Sequence, residues 1–186
     1  MTKVLVPDMA GVDAIVRSAA TGDEIAFARL VAAHHASMAR VAYVICGDED
    51  VTRDAVQSAW GIAWRRMSSL RDPGQVRPWL VAIAANEARQ AVRRRRRVTV
   101  VDISEGIYRP GGVDPVETVD VVDLRRALRG LKVEDRSLLA MRYAAGLGSA
   151  DIGQQLGISA SGVRSRLTRL LDRLRMDLAL EPEDDR

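Results

Sequence analysis

Apolar residues recur along most of this chain at the 3.6-residue spacing of a helix, not the two-residue spacing of a strand. The pattern begins softly over Val12–Ala20 and restarts at Thr21, where Thr21 with Glu24 three residues on predicts a capping box. Phe27, Leu30, Val31, His34, Met38, Val41, Ala42 and Ile45 then mark one face of a long helix. Gly47-Asp48-Glu49-Asp50 breaks it and opens a second, with Val56, Ala59, Trp60, Ala63 and Met67 as the inward stripe. Ser68–Gln75 reads as a loop from its Ser-Ser and Asp-Pro-Gly strings. A third helix is expected from near Pro78, a tolerated first-turn position, burying Leu80, Ile83 and Ala84 before running into Arg93–Arg97. Residues 98–118 lose the period and carry Pro110-Gly111-Gly112 and Pro115, which predicts a linker with a brief extended stretch at Val98–Ile103. Helices resume through Val121, Leu124, Leu128 and Leu131, then Leu138, Leu139 and Arg142.

The last part of the pattern carries the most chemistry. Ile152 and Leu156 give a short amphipathic helix, and Gly157-Ile158-Ser159 a tight turn whose serine can cap the next one. That next helix puts Val163, Leu167, Leu170, Leu171 and Leu174 on its inner face and Ser161, Arg164, Ser165, Thr168 and Arg169 outside, with Arg166, Arg173 and Arg175 further round. Two helices across such a turn form a helix-turn-helix, whose second helix can enter a major groove and hold phosphates on either side. A basic amphipathic helix in an ordinary bundle is the plainer alternative; the Ile-(x)3-Leu-Gly-Ile-Ser turn favours DNA.

Charge layout fits that reading. The 186 residues carry a net +3. Residues 1–97 hold 15 basic and 10 acidic side chains, residues 98–120 one and five, and residues 121–186 twelve and ten, with acids gathered in Glu181-Pro182-Glu183-Asp184-Asp185. Two basic modules therefore flank an acidic strap, as suits a nucleic-acid binder. The lone Cys46, beside Val44 and Ile45, excludes an intrachain disulfide and reads as an inert thiol. His34 falls on the apolar stripe and His35 points elsewhere, so the pair lacks the i,i+4 spacing of a metal site. No metal, cofactor, Walker loop, dinucleotide fingerprint or catalytic triad is expected, and the chain is read as a non-enzyme. With neither a signal peptide nor a membrane span in view, a cytoplasmic location is expected.

GDEIAFARLV (22–31), DAVQSAWGIAWRR (54–66), RPWLVAIAANEARQAVRRRRR (77–97) and residues 138–175, in that order, resemble the extracytoplasmic function group of bacterial RNA polymerase sigma factors. GDEIAFARLV (22–31) resembles the opening of sigma region 2, and DAVQSAWGIAWRR (54–66) its Asp-Leu-Val-Gln-Glu-x-Phe-x-x-x-Trp pattern. RPWLVAIAANEARQAVRRRRR (77–97) resembles its Arg-Thr-Trp-Leu-x-x-Ile-Ala-x-Asn pattern, and residues 138–175 resemble region 4 almost position by position. Ser58 stands where an acid is usual, Pro78 where a threonine is, and Ser161-Gly162 where Gly-Thr is common. The resemblance implies an all-α chain of two small helical domains: region 2 over 1–97, a flexible acidic linker over 98–118, region 4 over 119–178, and an acidic tail over 179–186.

The resemblance also implies roles. Asp54, Gln57, Ser58 and Trp64 would meet core RNA polymerase, whose largest-subunit clamp and second-largest-subunit flap are the family's docking points. Ser69, Arg71, Trp79, Asn86, Arg89, Arg93 and Arg94 would serve the minus-ten element, the loop and Asn86 forming a pocket for an unstacked base and the arginines gripping backbone. Trp79 fits stacking and core packing equally well. Ser161, Arg164, Ser165, Arg166, Thr168 and Arg169 would serve the minus-35 duplex, with Arg164 on a base edge and Ser165, Arg166 and Arg169 on phosphate. An anti-sigma factor is an expected further partner, and the acidic linker would thread the polymerase's RNA exit path. Two other readings remain: a dimeric helix-turn-helix regulator acting without polymerase, which leaves the polar face of residues 54–66 without purpose, and an enzyme with an accessory DNA-binding domain, which the scattered carboxylates do not support.

Overall fold

A computed structural model describes residues 9–101 and 119–179, and everything in it is helix, turn or loop. The first part comprises α1 (Met9–Ala20), α2 (Glu24–Cys46), α3 (Glu49–Arg66) and α4 (Val76–Val101). The second comprises α5 (Val119–Gly130), α6 (Val133–Leu139), α7 (Ser149–Leu156) and α8 (Ala160–Ala179). Most of the linker, residues 102–118, and the tail from 180 on lie outside the described residues, as do the side chains of Arg96, Arg97 and Val121.

Caps and glycines set the boundaries. Asp23, not Thr21, starts α2: its Oδ1 accepts from the backbone N–H of Ile25 (2.9 Å) and Ala26 (3.0 Å). Gly22 (φ 94°) turns the chain so that the carboxylate one residue before the helix reaches those groups, while the Thr21 hydroxyl donates back to the Ser18 carbonyl. The expected capping box is thus replaced by an aspartate cap, whose own pKa is lowered first by the Ser18 hydroxyl and then by the backbone donors. Gly47 (φ 67°) ends α2, and Asp48 caps α3 through Val51 N–H (3.0 Å) while its other oxygen accepts from Arg95 (2.7 Å).

Two further boundaries differ from expectation. The loop before α4 contains single 3-10 turns at Met67–Ser69 and Pro73–Gln75, and α4 starts at Val76, two residues ahead of Pro78. At its far end α4 continues through Val98–Val101, where an extended stretch and the start of the linker were expected. Valine and threonine are β-formers by local preference, but helix already propagating from residue 76 adds a hydrogen bond per residue without a new nucleation cost.

Two apolar clusters fill the molecule. One, containing Val16, Leu30, Met38, Ala59, Ala63, Met67, Leu80 and Ala84, holds α1 to α4 together. The other starts at Val41, Ala42 and Ile45 of α2, takes in Val81, Ala85 and Ala88 of α4, and continues through Leu131, Leu138, Met141 and Ile152 to Val163 and Leu167 of α8. The predicted inner face of α8 is therefore core. So is a second face of α4 that the Leu80, Ile83, Ala84 pattern did not show: Val81, Ala85 and Ala88 are all buried.

The second cluster joins the two halves. The α6–α7 segment packs on α2 and α4. At its centre α6 widens into one π-turn, Ala140–Ala144, closed by Ala145 N–H on the Ala140 carbonyl (3.0 Å). Polar links accompany this packing: Arg77 Nη2 donates to the Ala145 carbonyl, Arg93 pairs with Glu134 (2.5 Å), and the Arg125 guanidinium lies 5.6 Å from the centre of the Tyr43 ring.

Candidate nucleic-acid interface

The candidate residues fall on three faces. On α3, Asp54, Gln57 and Ser58 are exposed, opposite the buried Ala55, Val56 and Ala59. Trp64 is 37% exposed and packs edge-on against Phe27 at 4.8 Å between ring centres; Phe27 in turn meets Trp60 at 5.6 Å. Trp60 Nε1 donates to His35 Nδ1 (3.3 Å), a role for His35 that no local pattern signalled. Beside this face a groove of about 880 Å³ runs between α2 and α3, lined by apolar Val31, Ala39, Val44, Val56 and Trp60 and rimmed by Gln57.

The second face belongs to α4. Asn86, Arg89 and Trp79 line a cavity of about 510 Å³ whose far wall is Met141, Gln155 and Leu156, residues of the helix-turn-helix half. Asn86 Oδ1 accepts from Arg89 (3.2 Å), and buried Glu87 accepts from Gln90 (3.0 Å). Burial under the other half, and then the neighbouring Arg93 charge, lower the Arg89 pKa. Trp79 is half-buried, packing against the first apolar cluster while also lining the cavity. Arg94 is exposed, whereas Arg93 is engaged by Glu134, whose carboxyl is held below its usual pKa chiefly by that arginine.

Ser69 and Arg71 are exposed but do not line this cavity. Asn86 lies ten residues beyond the start of α4, about 15 Å along its axis at 1.5 Å per residue. Ile62 and Arg66 of α3 line the cavity beside Asn86.

The third face is the outer side of α8, and it is open. Ser161, Arg164, Ser165, Thr168 and Arg169 are all exposed, while Val163 is fully buried and Leu167 nearly so. Ser159 caps the helix as expected, its Oγ accepting from Gly162 N–H (3.0 Å). The turn before it depends on two glycines. Gly157 sits at φ 69°, and a Cβ on Gly153 would come within 2.6 Å of the Ile158 carbonyl oxygen. Arg166 departs from its neighbours: half-buried, it donates from Nε (3.0 Å) and Nη2 (2.6 Å) to Asp135 Oδ1 on α6. Asp135 was not singled out from the sequence, because it lies 31 residues away and the pairing exists only in the folded packing of α6 on α8.

Burial pushes the half-buried Cys46 thiol up to about 11. Among the described residues no cluster of three His, Cys, Asp or Glu side chains could hold a metal ion, and no helix is long and apolar enough to cross a membrane.

A helix-turn-helix with an open arginine-bearing face, joined to a helical bundle with a second such face, defines a two-part DNA-binding protein. Comparison with known proteins narrows the class. Residues 30–98 match the model of Sigma-70 region 2 and residues 122–174 that of Sigma-70 region 4. The chain is 30% identical over 166 residues to the extracytoplasmic function (ECF) RNA polymerase sigma factor SigL of Mycobacterium tuberculosis, covering 87% of this chain and 94% of SigL. It is 29% identical over 168 residues to the "Probable RNA polymerase sigma factor RfaY" of Xanthomonas campestris pv. campestris, covering 86% of this chain but only 42% of that longer protein. In fold it matches the sigma factor RpoE in complex with the anti-sigma factor NepR from Bartonella quintana, with a TM-score of 0.66, 23% identity, and coverage of 84% of this chain and 98% of that one. The chain belongs to the extracytoplasmic function group of the sigma-70 family: it is an RNA polymerase sigma factor, a specificity subunit and not an enzyme.

Proposed function

We propose that this chain binds core RNA polymerase through the exposed side of α3, reads the minus-ten element with α4 and the minus-35 element with α8, and so directs initiation at a defined set of promoters. The observation that carries this is the pairing of two separate arginine-bearing helical faces on one short chain, with a third, polar face left on α3. On α8, Arg164 takes a guanine edge and Arg169 a phosphate. On α4, Asn86 meets an unstacked base while Arg89, Arg93 and Arg94 hold the backbone. The α3 face presents Asp54, Gln57, Ser58 and Trp64 to the clamp of the largest polymerase subunit, and region 4 meets the flap of the second-largest.

The arrangement of the halves adds a step. Asn86, Arg89 and Arg93 face region 4 across a shared cavity and an ion pair, so region 4 moves off α4 before promoter DNA is held there. An anti-sigma partner, like the one bound by the RpoE structure, would suit the apolar groove between α2 and α3. The domain limits proposed are region 2 through about residue 101, the acidic linker to 118, and region 4 to 178.

Transcription in vitro with core polymerase on a library of upstream sequences tests the reading. Initiation from templates sharing two spaced elements supports it. Failure to start transcription, together with dimers on palindromic sites, would instead favour the autonomous regulator.

A further inference from the structure

Within the proposed reading of the minus-35 duplex by α8, we infer that Arg166 is a positioning residue: held by Asp135, it sets the rotation of the recognition helix and does not contact promoter phosphate. Two donors of one guanidinium, Nε and Nη2, converge on the single oxygen Oδ1 of Asp135 at 3.0 and 2.6 Å. The aspartate side chain is only 14% exposed and the arginine 39%. Paired charge-assisted hydrogen bonds of this kind are short and directional.

The core-facing contacts of α8 among the described residues are apolar and not directional. Val163, Leu167, Leu170 and Leu174 hold it by apolar burial, which is proportional to area and tolerates small rotations. The first turn of the helix carries Gly162, which has no side chain to lock it. Reading a base edge is unforgiving by comparison, since a site held more than about 10–20° from productive geometry loses function. Arg166 lies three residues after Val163 and one before Leu167, at the flank of the buried stripe, while Arg164, Ser165, Thr168 and Arg169 face outward. The Asp135 pair therefore ties α8 to α6 at the turn of helix from which Arg164 projects. For Arg166 to grip phosphate it would have to leave a largely buried carboxylate unpaired, a costly exchange.

The test uses the full chain assembled with core polymerase, on duplexes with optimal and scrambled minus-35 elements, over a series of salt concentrations. Asp135→Asn, Arg166→Lys, Asp135→Ala, Arg166→Ala, the double alanine variant and the exchanged pair Asp135→Arg/Arg166→Asp are compared, with Arg164→Ala as control. The two alanine variants should each lower the preference for the optimal element about tenfold, and the double variant no further. The slope of affinity against salt should stay as in the parent, and the exchanged pair should recover part of the preference. An Arg166→Ala slope shallower by about one unit, with Asp135→Ala binding unchanged or tighter, would show a phosphate contact and overturn the inference. So would undiminished preference in both alanine variants. If either alanine variant does not fold, the milder Asp135→Asn and Arg166→Lys pair decides by the same two readouts. If Arg164→Ala also keeps full preference, the fault lies in assigning sequence reading to α8 and not in the role of Arg166.

Discussion

The two arginine-bearing faces of this sigma factor differ in how far they are covered: α8 is open and α4 partly covered. On α8 the outward residues Arg164, Ser165, Thr168 and Arg169 meet only solvent or their own helix backbone. On α4, which is only partly covered, Arg89 is half-buried, Arg93 is exposed but paired with Glu134, and exposed Asn86 lines a cavity shared with Met141 and Gln155. Composition alone cannot distinguish them, because both are helices rich in arginine. What separates them is packing: α8 turns only one face inward, whereas α4 has two buried faces, one for its own bundle and one in the cluster that continues into region 4. On the proposed reading, a promoter-reading surface in this chain is available or withheld according to where the other half sits.

The open face can be broken most severely through the turn that supports it. Gly153→Ala forces a methyl group to 2.6 Å from the Ile158 carbonyl oxygen, a backbone atom that cannot swing away. Overpacking of this kind costs about 1–3 kcal/mol. Thermal melts should show the loss, with minus-35 recognition falling alongside it. Removing chemistry instead of scaffold comes next: Arg164→Ala should leave the melting temperature unchanged yet cost about 1–3 kcal/mol of discrimination at one base pair. Selection of minus-35 sequences by parent and variant holoenzymes measures this, and identical preferences would move readout to Ser161, Ser165 or Thr168.

The partly covered face answers to smaller changes. Asp48→Ala removes the α3 cap and the partner of Arg95 together, and should lower stability by about 0.5–2 kcal/mol in denaturant melts. Glu134→Gln releases Arg93 from an exposed pair worth about 0–1 kcal/mol, so binding of single-stranded minus-ten DNA by the free chain should tighten by no more than a few fold. The smallest effect is one of pH. Burial, and then the charge of Arg77, lower the His34 pKa below its usual 6.5, so the fold disfavours the protonated ring. Unfolded chain then binds more protons, and stability is present above pH 6.5 and declines as pH falls through that value. A melting temperature that drops between pH 7.5 and 5.5 in the parent, and drops less in His34→Gln, checks the sign.

What the sequence disclosed and what it concealed divide along the same line. The inner stripe of α8, the serine cap and the Gly157 turn were legible because they are local: period, cap and positive φ all lie within a few residues. The polar side of α3 was legible for the same reason. Hidden were the features that need two distant segments: Asp135 on Arg166, Glu134 on Arg93, Arg77 on the Ala145 carbonyl, and the second buried face of α4. Alanines at 85 and 88 do not announce burial, since alanine suits an exposed helix equally well. The α2 cap was misplaced by two residues because Thr21 and Asp23 are both good caps and only the Gly22 turn chooses between them.

On the proposed reading, region 4 lies against α4 in the free chain and leaves it in the working complex. Spin labels at Ala14→Cys on α1 and Met176→Cys on α8, both exposed positions away from the proposed contacts, report that separation directly. Native Cys46 should stay unlabelled at neutral pH, because its thiol pKa is pushed up to about 11. The account predicts one narrow distance in the free chain and a longer one once core polymerase and promoter DNA are bound. A broad distribution in the free chain, or the same distance in both states, would contradict it.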